Sequence, residues 1–350
     1  MTVFKNLKIK GEVTDLACDN GIITHIGKLD ADGIDCHGLT AYAGLIDIHT
    51  HGMGGLDTMD GQLSSLATLY AEAGTTSFCP TTMTAPLSEV QALLDIPSPD
   101  CGAKMRGLHL EGPFISKQYP GAQNKDCIIS PAEAQASLDA AAIITLAPEL
   151  DGAIELIKSS EAKICIGHTS ADYDTACRAA DAGACCVSHI FNAMPPLHHR
   201  EPSVVGAAFD KNMYVQLICD GIHIHPSVVR MLYSLFGSDR MILISDSVRA
   251  CGLPDGEYEL GGQMITVKNK IARTESGALA GSTFTLLDCV KSAVAMGIPE
   301  SEAFRMASET PAKMLGLNCG RLDIGYECDF ILLDSSLSLC GVVIDGQLQK

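Results

Sequence analysis

Eight short apolar runs recur along the middle of this chain, and each is followed by a stretch that reads as a helix. The runs are AGLIDIH, TSFCPTT, MRGLHLE, IITLAP, KICIGHT, CVSHIFN, VQLICDG and MILISDS. Their last polar or turn-like positions fall at 49, 79, 111, 148, 168, 189, 220 and 246. The spacing averages about 28 residues, which is that of repeated βα units. A doubly wound sheet is the alternative, but eight successive units fit a closed (β/α)8 barrel better.

The segments between the runs predict helices over 64–73, 130–141, 226–236, 283–296 and 301–315. Ser130 stands as an N-cap before Pro131 at N1 and Glu133 at N3. Val228, Val229, Leu232, Leu235 and Phe236 form a helical stripe that Gly237 ends. Both ends of the chain read instead as short strands broken by turns, Asp19-Asn20-Gly21 being the strongest turn signal. Neither end is long enough to fold alone. They are expected to meet as one small β-sandwich, built from 1–43 and 316–350, beside a barrel over 44–315.

Composition narrows the partners. The 350 residues are 47% hydrophobic and 19% charged, so the chain supports a substantial core and is not disordered. Its formal charge of −18 carries no Lys/Arg cluster, which argues against nucleic acid and anionic membrane surfaces. An anionic small molecule needs a few locally placed positive groups. No apolar run reaches the roughly 18 residues of a membrane span, and MTVFKNLKIKGEV alternates like a strand rather than showing a secretory apolar block. The fifteen cysteines include no CxxC pair and read as reduced core thiols. A cytoplasmic protein is expected.

In a (β/α)8 barrel the C-terminal strand ends face one pocket. Here those ends carry His49 and His51, Cys79, Glu111, Pro148-Glu149, His168, His189, Asp220 and Asp246. One such histidine is usually a satisfied core residue; four, together with Glu111 and Asp246, are the imidazole and carboxylate donors that borderline divalent metals prefer. His49 and His51 are i and i+2 on a strand and share a face. Cys79 reads as a core thiol.

At these residues the chain resembles the amidohydrolase superfamily: AGLIDIHTHG is similar to its first-strand signature. LHLEGPF, GHTSAD, SHIFNAMPPLHHREP, CDGIHIHP, LISDS and ALAGS resemble its sugar-phosphate deacetylase branch in order from about 44 to 315, and ECDFILLD resembles the β return after the barrel. The resemblance implies hydrolysis of the acetamide of N-acetylglucosamine 6-phosphate to acetate and an amino sugar phosphate. It implies a divalent metal, one of zinc, iron, cobalt or manganese, with one or two ions per subunit. Glu111, His168 and His189 hold the principal ion, His49 and His51 form a second position, and Asp246 is the acid/base. No lysine ends a barrel strand, which weighs against the dihydroorotase and hydantoinase branches.

The resemblance also implies a substrate wall. Asn192 and Ala193 offer N–H groups to phosphate, and Arg200 grips it from the neighbouring subunit, implying a homodimer. His223 contacts the sugar, with Asp220, Gly221 and Ile222 shaping the same wall; Leu279, Ala280 and Gly281 supply a backbone patch. Ala122 and Gln123 lie in the loop after GPF. The family often carries a histidine where Gln123 stands, and a glutamine donates a hydrogen bond without charge. His225, before Pro226, reads as a solvent-facing helix start. The rival substrate is N-acetylgalactosamine 6-phosphate; a different amidohydrolase and a non-catalytic sugar-phosphate-binding barrel are the more distant alternatives.

Overall fold

The computed structural model describes residues 1–349 except 135–137 and 139. Eight parallel strands run in chain order: β1 (Leu45–Thr50), β2 (Thr75–Thr82), β3 (Leu108–Glu111), β4 (Ala141–Leu146), β5 (Lys163–Ile166), β6 (Cys186–Val187), β7 (Tyr214–Ile218) and β8 (Met241–Ile244). Each pairs with the next in sequence. The sheet comes round on itself where Asp246 N–H donates to His49 O at 2.9 Å and Ser245 N–H to Asp47 Oδ1 at 3.3 Å. The expected (β/α)8 barrel is what forms.

Strand periodicity explains why the runs are apolar throughout. Ile46, Ile48, Ile143, Cys165, Cys186, Ile218, Ile242 and Ile244 fill the barrel interior. Their alternating neighbours Leu45, Ile144, Ile164, Ile166, Val187, Leu217, Met241 and Leu243 pack outward against helices. Cys79 belongs to the interior set. It sits within β2 rather than at its end, because the strand continues to Thr82, and it is a core thiol. All fifteen cysteines are free thiols.

The outer helices are α1 (Leu63–Glu72), α2 (Leu87–Leu94), α3 (Ala153–Ser159), α4 (Tyr173–Ala182), α5 (Ser203–Asp210), α6 (Pro226–Phe236), α7 (Leu286–Ala295), α8 (Glu300–Met306) and α9 (Glu309–Leu315). Two expected helices need correction. The stretch 301–315 is two helices. Pro311 has no N–H to offer the carbonyl of Ala307, and the chain breaks at Ala307–Ser308. For 130–141, the described part is a single 3-10 turn, Pro131–Glu133, with Ser130 N–H donating to Glu133 Oε2 at 2.7 Å. Ala134 is already extended, Ala141 begins β4, and 135–137 and 139 lie outside the described residues. No helix among the described residues is long and apolar enough to cross a membrane.

The chain ends build a separate sheet of eight strands, drawn from 2–43 and 330–348, over a core of Phe4, Leu7, Leu16, Ile23, Phe330 and Val343. Asn20 and Gly21 both take positive φ, 49° and 74°, as a two-residue hairpin turn demands. A three-stranded meander (Gly256–Leu260, Gln263–Lys268 and Ile271–Thr274) follows β8, outside the eight βα units. Its signal was in the chain: Gly261-Gly262 and Asn269-Lys270 flank the alternating QMITVK.

Candidate metal centre and substrate cavity

The strands deliver their polar ends to one point. His168, His189 and Asp246 each stand two residues past a strand, and each takes positive φ (47°, 24° and 47°). Left-handed backbone at non-glycine residues costs of order 1–3 kcal/mol each, and it gathers where function over-determines geometry. Glu111 ends β3, and His51 lies just past β1. His49 lies within β1, and all six residues are buried.

Glu111 Oε1 is the hub. His189 Nε2 lies 2.9 Å from it, His49 Nε2 3.1 Å and His168 Nε2 3.2 Å. His51 Nε2 is 3.3 Å from Glu111 Oε2 and 3.3 Å from Asp246 Oδ1, while His49 Nε2 is 3.6 Å from Asp246 Oδ1. Three of the rings are oriented from behind: His49 Nδ1–H donates to Gln216 Oε1 (2.9 Å), His51 Nδ1–H to Thr81 O (3.2 Å) and His168 Nδ1–H to Tyr119 O (2.9 Å). Each bond fixes the tautomer and turns Nε2 toward the centre, the arrangement of a metal-ligating histidine. Two observations fit a cation there. His49 Nε2 is buried and, though 3.1 Å from Glu111 Oε1, is not aligned for a hydrogen bond, and His168 and His189 bring their Nε2 atoms within 3.1 Å of each other. His49, His51 and Asp246 form one compatible donor group; His49, Glu111 and His189 form another.

Electrostatics agree with the geometry. Burial opposes charge on Glu111, yet the surrounding histidines hold its carboxyl well below the ordinary value. Burial likewise disfavours the charged imidazoles of His49 and His51, but Glu111 and Asp246 hold both above the usual histidine value, His51 well above. Asp246, buried too, is kept low by His51 and His49. Behind His49, His109 is pushed well below the ordinary value, chiefly by burial, and stays neutral. Its Nδ1–H donates to Ile48 O (2.8 Å) and its Nε2 accepts from Thr145 Oγ1 (2.7 Å).

A cavity of about 300 Å³ opens above this centre. Of the predicted substrate residues, Ala122, Gln123, Asn192, Ala193, His223, Leu279 and Gly281 line it. Asp220, Gly221, Ile222, Ala280 and Arg200 do not. The Asp220 carboxylate is taken up by Ile222 N–H, His223 N–H and His223 Nδ1–H at 2.8, 2.9 and 2.7 Å, so it orients His223 instead of meeting a ligand. Ala280 is packed in the core under the meander. Gly281, at φ 60°, has a packing reason to be glycine: a Cβ there would lie 2.6 Å from Val248 Cγ1 and 2.8 Å from Asp246 O. The Asp246 carbonyl accepts Ser282 N–H at 2.8 Å. Gln123 is tied down on both sides. Its Nε2 donates to Glu111 Oε2 at 2.5 Å, and its Oε1 accepts Thr84 N–H at 2.7 Å.

Arg200 is exposed on the loop before α5, with His199 as its side-chain neighbour. No lysine or arginine among the described residues lines the cavity. His225 is exposed and caps α6, accepting Ser227 N–H at 3.2 Å. Sequence reasoning missed the orienting residues Thr81, Tyr119 and Gln216, and the walls Met83, Phe191 and Leu260.

Comparison with known proteins places these residues in a family. The amidohydrolase family model matches residues 40–348. The N-acetylglucosamine-6-phosphate deacetylase of Vibrio furnissii is 36% identical, over 94% of this chain and 89% of that protein. The N-acetylgalactosamine-6-phosphate deacetylase of Escherichia coli O157:H7 is 38% identical, over 87% of this chain and 86% of that protein. The solved structure of a mutant Mycobacterium smegmatis N-acetyl-D-glucosamine-6-phosphate deacetylase, in complex with N-acetyl-D-glucosamine-6-phosphate, superposes with a TM-score of 0.90 at 27% identity. That match covers 99% of this chain and 98% of that one. With its barrel, its converging strand ends and a match across most of its length, this chain belongs to the amidohydrolase family.

Proposed function

We propose that this protein is a metal-dependent hydrolase that removes the acetyl group from N-acetylglucosamine 6-phosphate, giving glucosamine 6-phosphate and acetate. The observation that carries the reading is the convergence of four imidazoles and two carboxylates beneath a cavity of about 300 Å³. Glu111, His168 and His189 are assigned to the principal divalent ion; His49 and His51, with Asp246 beside them, are assigned to a second position. The donors suit zinc, iron, cobalt or manganese. When bound, such an ion would polarise the acetamide carbonyl and lower the pKa of water to about 7.

The chain's own residues do the rest. Asp246, kept as a carboxylate by His51 and His49, takes a proton from the attacking water and delivers it to the leaving amine nitrogen. His223, its Nδ1–H held by Asp220, presents Nε2 to a sugar hydroxyl. Asn192 and Ala193 sit at the phosphate end. Because no lysine or arginine among the described residues lines the cavity, Arg200 of a second subunit is assigned to neutralise the phosphate, which makes the working unit a homodimer. The barrel over 44–315 is the catalytic domain, and 1–43 with 316–350 the small domain that braces it. The free thiols favour a cytoplasmic setting.

The relative from E. coli O157:H7 favours a second reading, with the galacto epimer as substrate. Acetate release is to be measured on three sugars with one metal-replete preparation. The gluco 6-phosphate is expected to turn over fastest, the galacto 6-phosphate more slowly, and unphosphorylated N-acetylglucosamine negligibly. Faster turnover of the galacto sugar installs the second reading; no acetate from either phosphate overturns both.

A further inference from the structure

The end of β4 carries a glutamate that the proposed chemistry does not use. Glu149 is half-buried, and three donors from the segment just after His168 converge on it. Thr169 Oγ1 donates to Glu149 Oε2; Ser170 N–H and Ser170 Oγ donate to Oε1 at 2.6 and 2.8 Å. These are charge-assisted bonds, the stronger kind. They are not a helix cap, because the next helix, α4, has its own in Asp172, whose Oδ1 accepts Thr175 N–H at 2.8 Å.

The two residues so held are the ones that follow a strained ligand. His168 sits at φ 47°, a conformation that a non-glycine residue leaves unless its neighbours are fixed. On its own carbonyl, His168 accepts Ser116 N–H at 2.7 Å, and Gly121 approaches so closely that a Cβ there would lie 3.1 Å from His168 Cε1. The remaining freedom is rotation of the Thr169–Ser170 segment, and Glu149 removes it. The same segment reaches the other end of the cavity, since Thr169 N–H donates to Ala193 O at 3.1 Å. Thr169 is itself fully buried.

We infer that Glu149 is a positioning residue that holds His168 in its ligating conformation and, through Thr169, keeps Ala193 in register with it. The inference rests on the assignment of His168 to the metal. Its consequence is for metal affinity, since partners behind a ligand typically contribute 10–100-fold.

The test uses the full-length protein, stripped of metal and titrated with Zn²⁺ alone against a chromophoric chelator. Glu149→Ala is expected to bind Zn²⁺ 10–100-fold more weakly. Glu149→Gln keeps one acceptor oxygen for Ser170 and is expected to lose less. Asp172→Ala, which loosens the same loop by uncapping α4, is the control for general destabilisation and is expected to bind Zn²⁺ like the unaltered protein. Excess metal is expected to restore turnover to Glu149→Ala. Unchanged affinity in Glu149→Ala, or an equal loss in Asp172→Ala, overturns the inference. No sugar phosphate is present in the titration, so an absence of acetate release from the unaltered enzyme would strike the proposed activity and leave the role of Glu149 standing.

Discussion

The mouth of the barrel and the seam where the barrel meets the small sheet both bury ionisable groups, and they satisfy them in opposite ways. In the seam, Lys104 Nζ lies 2.7 Å from Glu327, 2.9 Å from Asp329 and 2.6 Å from Asp345, and Arg106 pairs with Glu327. Burial raises the Glu327 carboxyl, but Arg106 and Lys104 bring it down to about 2. The charges there are matched by permanent cations from the chain. At the mouth two carboxylates face imidazoles and the neutral Gln123 amide instead of a lysine or arginine, and three of the Nε2 atoms are turned inward by Gln216, Thr81 and Tyr119. The seam also holds the larger cavity, about 680 Å³ against about 300 Å³. Size therefore does not mark the site. What marks it is a set of carboxylates that the chain leaves without a lysine or arginine, facing imidazoles whose charge a metal can displace.

Substitution should separate the two regions cleanly. Asp246→Asn keeps the shape of the side chain but cannot take a proton, and turnover is expected to fall by roughly 10²–10⁴ while substrate binding and the unfolding midpoint stay close to normal. Near-normal turnover of this variant would remove Asp246 from the acid/base role. Lys104→Met does the reverse. It strands Asp329, which is 2% exposed, and is expected to cost about 2–4 kcal/mol of folding stability in urea titration while turnover per folded molecule is kept. A loss of turnover with unchanged stability would mean that the seam reaches the chemistry.

The same contrast explains what could be read from the sequence. Strand alternation and the residues that end each run are local properties, so the barrel, its eight strands and the six mouth residues were legible before any coordinates. The outer residues were not. Gln216 sits mid-strand in β7 and Thr81 acts through its backbone carbonyl, so neither side chain announces a partner that lies on another strand. Asp220 was legible as a strand end but not as the residue that orients His223, because that role depends on the turn the chain takes after β7. The break in 301–315 is written in the chain itself, since Pro311 stands inside the stretch.

Arg200 tests the comparison from outside. It is the one cation assigned to the mouth, and it is exposed rather than held like Arg106. Arg200→Ala is expected to raise KM for the phosphorylated sugar about 10–100-fold, the value of a lost charge-assisted hydrogen bond, with little change in kcat or stability. Light scattering should find a dimer with or without the substitution. An unchanged KM takes Arg200 out of the phosphate site.

A further expectation is a pH dependence of metal affinity that the seam cannot share. In the metal-free protein, burial favours neutral His49 and His51, but Glu111 and Asp246 hold protons on both above the ordinary histidine range. A divalent ion must displace those protons to bind. As pH falls from 8 to 6 the imidazoles fill with protons and affinity should drop, by about tenfold per pH unit for each proton displaced. Glu111 plays no part in this window, since its carboxyl is held well below the ordinary range and remains ionised. The sign follows from the direction of the histidine shifts: raised values mean protons bound at neutral pH and released as the metal enters. Zn²⁺ competition titrations at pH 6, 7 and 8 read the slope directly. A flat profile would mean that His49 and His51 carry no proton when the centre is empty, and that Glu111 and Asp246 meet the metal with no positive charge supplied by the chain.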